Sequence, residues 1–260
     1  MKKITINSLQ KSSEKLVMVT AYDSLFAKIF DGNVDLILVG DSLNMSFSGE
    51  NDTLSATVDQ MIYHTKAVCR GVQRSFIVAD MPFGSYSTKE DALKNAIRFY
   101  RETCADSVKI EGGVEKAETI SHLVQNGIAV MGHIGLTPQS FRGEGGYFVK
   151  GRDSRSREKV FSDALAVEQA GAFAVVIEGT ESDLAKEIAE TLTIPVIGIG
   201  AGKDVDGQVL VWSDLLGFFE DFKPKFVKRY LNGGEIVRNA ITQYADEVRN
   251  GTFPEEENIY

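Results

Sequence analysis

The chain has 260 residues, 43% of them hydrophobic and 25% charged, which suits one large α/β domain with a sizeable core. Its net charge of -9, with no basic stripe, argues against a nucleic-acid surface. No apolar run reaches the roughly 18 residues of a membrane helix, and the opening MKKITINSLQKSSEK lacks the apolar core of a secretory signal.

LVMVT (16–20) reads as a first strand, and the spacing in AYDSLFAKIFDG predicts a helix stopped by Gly32. A second strand over 34–40 leads into an irregular polar stretch and then a helix over 58–70. The third strand, 75–80, precedes a helix over 89–103; the fourth, 107–111, precedes a helix over 114–125. A fifth strand is expected over 128–132, after which 133–156 is glycine- and arginine-rich and irregular. A helix over 157–169, a strand over 172–178, a helix over 183–191 and a strand over 195–200 follow. VLVW (209–212) is the candidate eighth strand, and VRNAITQYADEVRNG near the end is a long amphipathic helix. Cys69 and Cys104 fall in helical patterns with no metal or redox spacing, so two inert thiols in a reducing cytoplasm are expected.

Buried strands with little alternation, each followed by a helix, indicate a parallel sheet covered on both faces. Eight such units fit a (β/α)8 TIM barrel in a single domain over 1–260, closed by a C-terminal helical segment. An open doubly wound sheet is the alternative, because periodicity does not show closure. Acids favour the barrel. Asp41, Asp80, Glu111 and Glu178 each end an apolar run (VDLILVGD, SFIVAD, SVKIE and AFAVVIE), and barrels build their sites at the C-terminal strand ends.

Carboxylates gathered at one face hold a cation or move protons, because like charges held close need compensation. Taken alone, Asp41 or the Ser42 beside it could cap a turn, and Asp80 before Met81-Pro82 could do the same. Lys109 and Glu111 lie two apart on one strand and so face the same side, as a buried ion pair or as functional groups. Glu178 closes an unbroken apolar strand, where a partly desolvated carboxylate suits a general base, or else charges a helix N-terminus. His64 and His122 sit within helices; His133, after the fifth strand, could face the site. GIGAGKD (198–204) lacks the spacing of a phosphate loop and reads as a tight turn.

Several stretches together resemble one family. MVTAYDSLFAKIF, VGDSL, TVDQMIYHTKAVCRG, ADMPFGSY, VKIEGG, MGHIGLTPQS, IPVIGIGAG, DGQVLVW and PKFVKRY occur in order over nearly the whole chain, and the set is similar to the ketopantoate hydroxymethyltransferases. That resemblance implies a barrel of the phosphoenolpyruvate/pyruvate superfamily, Mg²⁺, 5,10-methylenetetrahydrofolate as one-carbon donor and 3-methyl-2-oxobutanoate as the 2-oxo acid acceptor. It also implies a cytoplasmic homodecamer acting in pantothenate synthesis. Carried over, it makes Asp41 and Asp80 metal ligands that also bind substrate and Glu111 a metal-associated glutamate. Ser42 and Lys109 bind substrate on the same basis, and Glu178 is the proton acceptor.

The chain departs from the family pattern at Asn44, where glycine is usual, and at Lys150, where GGYFVKG replaces GGYxVQG. It departs again in GFFEDFKP and at the end EEENIY. Two other readings remain open: a Mg²⁺-dependent carbon–carbon lyase of the same superfamily, which typically needs a reactive cysteine loop, and a silent barrel that binds a 2-oxo acid.

Overall fold

A computed structural model describes residues 2–220 and 223–260; Met1 and residues 221–222, inside GFFEDFKP, lie outside the described residues. Eight parallel strands close into a barrel in sequence order. They are β1 Leu16–Thr20, β2 Leu36–Val39, β3 Phe76–Asp80, β4 Ser107–Glu111, β5 Val130–Gly135, β6 Ala174–Glu178, β7 Val196–Ile199 and β8 Gly207–Leu210. β8 returns to β1 with Leu16 opposite Gly207, so the open sheet is excluded.

The helices of this unit, residues 1–211, are α1 Ile6–Gln10, α2 Ser24–Phe30, α3 Leu43–Ser46, α4 Val58–Gly71, α5 Lys89–Glu102, α6 Ala117–Gln125, α7 Phe141–Glu144, α8 Ser154–Gln169 and α9 Ser182–Thr191. Their starts follow from the sequence. The Asp23, Thr57, Thr88 and Asp153 side chains each accept a backbone N–H of the first turn, and Gln60 completes a capping box with Thr57.

Alternate strand residues point inward. Met18, Leu36, Leu38, Phe76, Val78, Met131, Val176, Ile197 and Val209 form one buried cluster. Truncating such a residue to alanine costs about 2–5 kcal/mol. Leu9 of α1 joins the cluster, and Ile4 and Ile6 pack against it. Ile4 donates its N–H to the Arg74 carbonyl before β3, and Gln10 reaches the Phe173 carbonyl before β6. This short helix, not expected from the sequence, therefore plugs the N-terminal mouth and leaves the polar residues the other end.

Several boundaries moved. β5 runs to Gly135, three residues beyond the expected end, and β8 covers 207–210 with Trp212 opening the next helix. No helix separates β7 from β8; GIGAGKD is the turn between them, with the Gln208 amide donating to the Gly202 carbonyl. The cysteines correct the expectation of two inert thiols. Cys69, in the last turn of α4, and Cys104, just past α5, form a disulfide. Consecutive helices of the outer ring end side by side, so a separation of 35 residues spans little distance: the two Cα atoms are 5.8 Å apart.

Residues 212–260 form a second compact unit. It holds α10 Trp212–Leu215, α11 Gly233–Asn250 and a 3₁₀ turn at Glu256–Asn258. The Leu215 and Leu216 carbonyls accept the N–H groups of Tyr230 and Gly233. The Arg238 guanidinium forks onto both oxygens of Glu220 at 2.5 and 2.8 Å. On α11, Val237, Ile241, Tyr244 and Val248 recur at helical spacing and are 46–61% exposed.

Candidate active site

The strand registers bring the proposed residues together. Asp80, ending β3, lies opposite Lys109 of β4; Glu111, two residues on, lies opposite His133 of β5. Gly135 of β5 lies opposite Glu178, the last residue of β6. Asp41 follows β2 after Gly40, where an added Cβ would meet Ser42 Oγ at 2.9 Å and stand 3.5 Å from Asp80 Oδ2. All of these side chains belong to the C-terminal end of the barrel.

One polar chain links them. The Asp41 N–H donates to Asp80 Oδ2 at 3.0 Å, and Asp80 Oδ1 is 3.0 Å from the Lys109 ammonium. Lys109 Nζ is also 3.0 Å from His133 Nδ1, which stands 3.4 Å from Glu111 Oε1. His133 Nε2 in turn is 3.1 Å from Glu178 Oε2. Asp41, Asp80, Lys109, Glu111 and His133 are each 5% exposed or less; Glu178, with an 18% exposed side chain, is the one that opens to solvent.

Burial drives the Asp41 carboxyl well above the usual carboxylate range, and the charges of Asp80 and Glu111 add to this against Lys109 and Gln139. Burial raises Asp80 as well, opposed chiefly by Lys109. Glu111 falls below its ordinary value: burial works against ionisation, but His133, Lys109 and the Gln139 N–H outweigh it. Burial also opposes the Lys109 ammonium, yet Asp80, Glu111 and Asp41 together raise its pKa and keep it charged. His133 is lifted to about 9; burial and Lys109 lower it, and Glu111 and Glu178 prevail.

Sequence reasoning missed several participants. Gln139, in the 3₁₀ turn Pro138–Ser140, is a buried hub. Its amide donates to Asp41 Oδ2 at 2.7 Å and to the Met81 carbonyl, its N–H donates to Glu111 Oε2, and its carbonyl oxygen accepts the Tyr86 hydroxyl. Ser42 does not cap α3 through its side chain; its Oγ lies 2.9 Å from the Tyr22 hydroxyl. Asn44 is buried and ties α3 to the following loop through the Asp52 carbonyl and Ser55 Oγ. That loop is held in turn by Arg142, 2.6 Å from Asp52. The available signal was position: Gln139 follows the fifth strand and Tyr22 the first, both at the end where the acids gather.

The donor set fits a hard divalent cation. Asp41 and Asp80 present oxygen ligands, and Asp41 stands among negative neighbours that a cation would offset. Among the described residues no three His, Cys, Asp or Glu side chains already converge as a ligand cage. Mg²⁺ does not require one, since it takes one or two carboxylates and keeps several waters.

Residues 2–256 match the family model described as ketopantoate hydroxymethyltransferase. The 3-methyl-2-oxobutanoate hydroxymethyltransferase of Wolinella succinogenes is 59% identical, over 100% of both chains. That of Helicobacter pylori (strain Shi470) is 58% identical, over 100% of this chain and 97% of its own. Solved structures share the fold at low identity. Phosphonopyruvate hydrolase in complex with oxalate and Mg²⁺ gives a TM-score of 0.65 at 12% identity, covering 99% of this chain and 93% of its own. For 2,3-dimethylmalate lyase, of the PEP mutase/isocitrate lyase superfamily, the values are 0.64 and 15%, covering 98% and 90%. With near-complete coverage at 59% identity and a family model spanning almost its whole length, the chain belongs to the ketopantoate hydroxymethyltransferase family.

Proposed function

We propose that this enzyme transfers a hydroxymethyl group from 5,10-methylenetetrahydrofolate to 3-methyl-2-oxobutanoate, giving 2-dehydropantoate (ketopantoate) for pantothenate and coenzyme A synthesis. The observation that carries this reading is the chain of close polar contacts that runs from buried Asp41 through Lys109 and His133 to the more open Glu178 at one barrel mouth, in a member of this family.

The substrate must lose the proton on C3, next to its ketone. Glu178 takes that proton: it is the acid at this mouth with solvent access, and it stands at the far end of the chain from Asp41. Lys109, held charged by three carboxylates, places positive charge at the substrate's oxygens as the enolate forms. Asp41 and Asp80 would hold Mg²⁺, with Glu111 in support, and Ser42 binds substrate beside Asp41. The bound cation supplies a Lewis acid for the ketone and carboxylate oxygens. C3 then bonds to the methylene carbon of the folate as that carbon's bond to N10 breaks. The bond to N5 breaks next, the hydroxyl coming from water, and tetrahydrofolate leaves with the C3 proton and one proton of the water on its two nitrogens.

The enzyme acts on small molecules, with no nucleic-acid or membrane partner, and works in the cytoplasm as a homodecamer. For assembly, the apolar stripe of α11 offers surface for subunit contact. Incubation with 3-methyl-2-oxobutanoate, the folate and Mg²⁺ tests the reading: folate-dependent formation of ketopantoate is expected. Folate-independent cleavage of an acid would favour a lyase instead.

A further inference from the structure

We propose that His133 is a positioning residue for the base: its Nε2–H holds one oxygen of Glu178, so that the other faces the C3 hydrogen of the 2-oxo acid. This rests on the assignment of Glu178 as base.

The ring sits wholly inside the barrel mouth, 3% exposed, on a stretch of β5 locked between β4 and β6 by the registers Glu111–His133 and His133–Val176. It cannot swing to solvent without breaking the wall. Its two nitrogens face different partners. Nδ1 lies 3.0 Å from the Lys109 ammonium, a group that only donates, so a neutral ring accepts there and carries its hydrogen on Nε2. A charged ring carries hydrogen on both. In either state Nε2 is a donor, and the acceptor near it is Glu178 Oε2 at 3.1 Å.

The contact is short but not yet aligned: Nε2 is fully buried and makes no well-directed hydrogen bond in the unliganded chain. Catalytic hydrogen bonds commonly tighten only when substrate arrives. Asp41 and Asp80 are buried with their carboxylates held by Gln139 and Lys109, whereas the Glu178 side chain, at a strand end, is 18% exposed. Directly behind it, Gly135 has a φ of +86°, and a Cβ there would stand 2.4 Å from the Glu178 carbonyl oxygen. The backbone of Glu178 is thus packed against β5, while its carboxylate depends on one donor for direction. Misplacing a reacting group by about 1 Å costs on the order of 100-fold in rate.

Two substitutions separate orientation from general support. The amide nitrogen of glutamine reaches the place of Nε2, whereas that of asparagine reaches only the place of Nδ1. In D₂O with Mg²⁺ and saturating 3-methyl-2-oxobutanoate, C3 hydrogen exchange should fall on the order of 100-fold in His133→Asn. It should stay within about 10-fold of wild type in His133→Gln, while both bind the 2-oxo acid by calorimetry within a few-fold of wild type. Should His133→Asn fail to fold, His133→Leu supplies the same comparison. Equal losses in the Gln and Asn variants, or weakened substrate binding with normal exchange at saturation, overturn the proposal. Glu178→Gln, run alongside, keeps the two ideas apart. Wild-type exchange in that variant sinks the base assignment, whereas an inert Glu178→Gln beside a normally exchanging His133→Asn sinks only the role of His133.

Discussion

Asp41 and Lys109 show how little a residue's type says before its neighbours are known. In the sequence Lys109 is a cation two places from an acid; in the barrel it touches Asp80 and His133 and feels three carboxylates at once. Asp41 is the most compromised acid of the set, buried beside Asp80 and Glu111 with Gln139 as its side-chain donor. A group in that position gains most from a bound cation. Replacing Asp41 with alanine should therefore raise the Mg²⁺ needed for half-maximal activity by at least about 10-fold. A metal titration of the stripped enzyme checks this, and an unchanged requirement contradicts the ligand role. The acids were legible because each closes an apolar run. Gln139 was not, because an amide in a polar loop carries no periodic signal, and only folding brings it to Asp41, 98 positions away.

At the scale of elements, the order of the eight strands and the long helices was readable, since buried parallel strands and amphipathic helices differ in period, whereas the short α1, α3 and α7 were not. The errors lie where polar residues occupy buried positions. The fifth strand seemed to end at Gly132 because His133 broke the apolar run, yet the strand continues and His133 points inward. Asp31 was likewise read only as part of a helix stop. It accepts the backbone N–H groups of Gln73, Arg74 and Ser75, joining the end of α2 to the entry of β3. Burial works against ionisation of Asp31, but these donors hold its pKa below the ordinary value. Because the folded pKa is depressed, the stabilisation is present above the unfolded value and fades as pH falls through the folded one. Asp31→Ala should cost about 2 kcal/mol at neutral pH. In urea unfolding the gap from wild type should narrow on acidification below about pH 4; a gap independent of pH would contradict this role.

Across the whole molecule, barrel architecture was legible from the alternation of buried strands and helices, and closure from the acids that end four strands. The plug at the N-terminal mouth and the disulfide were not, because each depends on contacts remote in sequence. The stripe Val237, Ile241, Tyr244 and Val248 gives α11 an exposed apolar face. A homodecamer predicts a particle ten times the 28.5 kDa chain mass in sedimentation equilibrium, and Ile241→Asp should shift it to smaller species; a 28.5 kDa particle for the wild type would contradict assembly. Closure also brings the carboxylate that ends β6 to the same mouth as Asp41 and Asp80 at the ends of β2 and β3, the arrangement that the proposed base and cation require. The most direct test of that arrangement is solvent exchange of the C3 hydrogen of 3-methyl-2-oxobutanoate, followed by NMR in D₂O with wild type and Glu178→Gln. Exchange should vanish in the variant while the 2-oxo acid still binds; near-normal exchange without the Glu178 carboxylate would contradict the account.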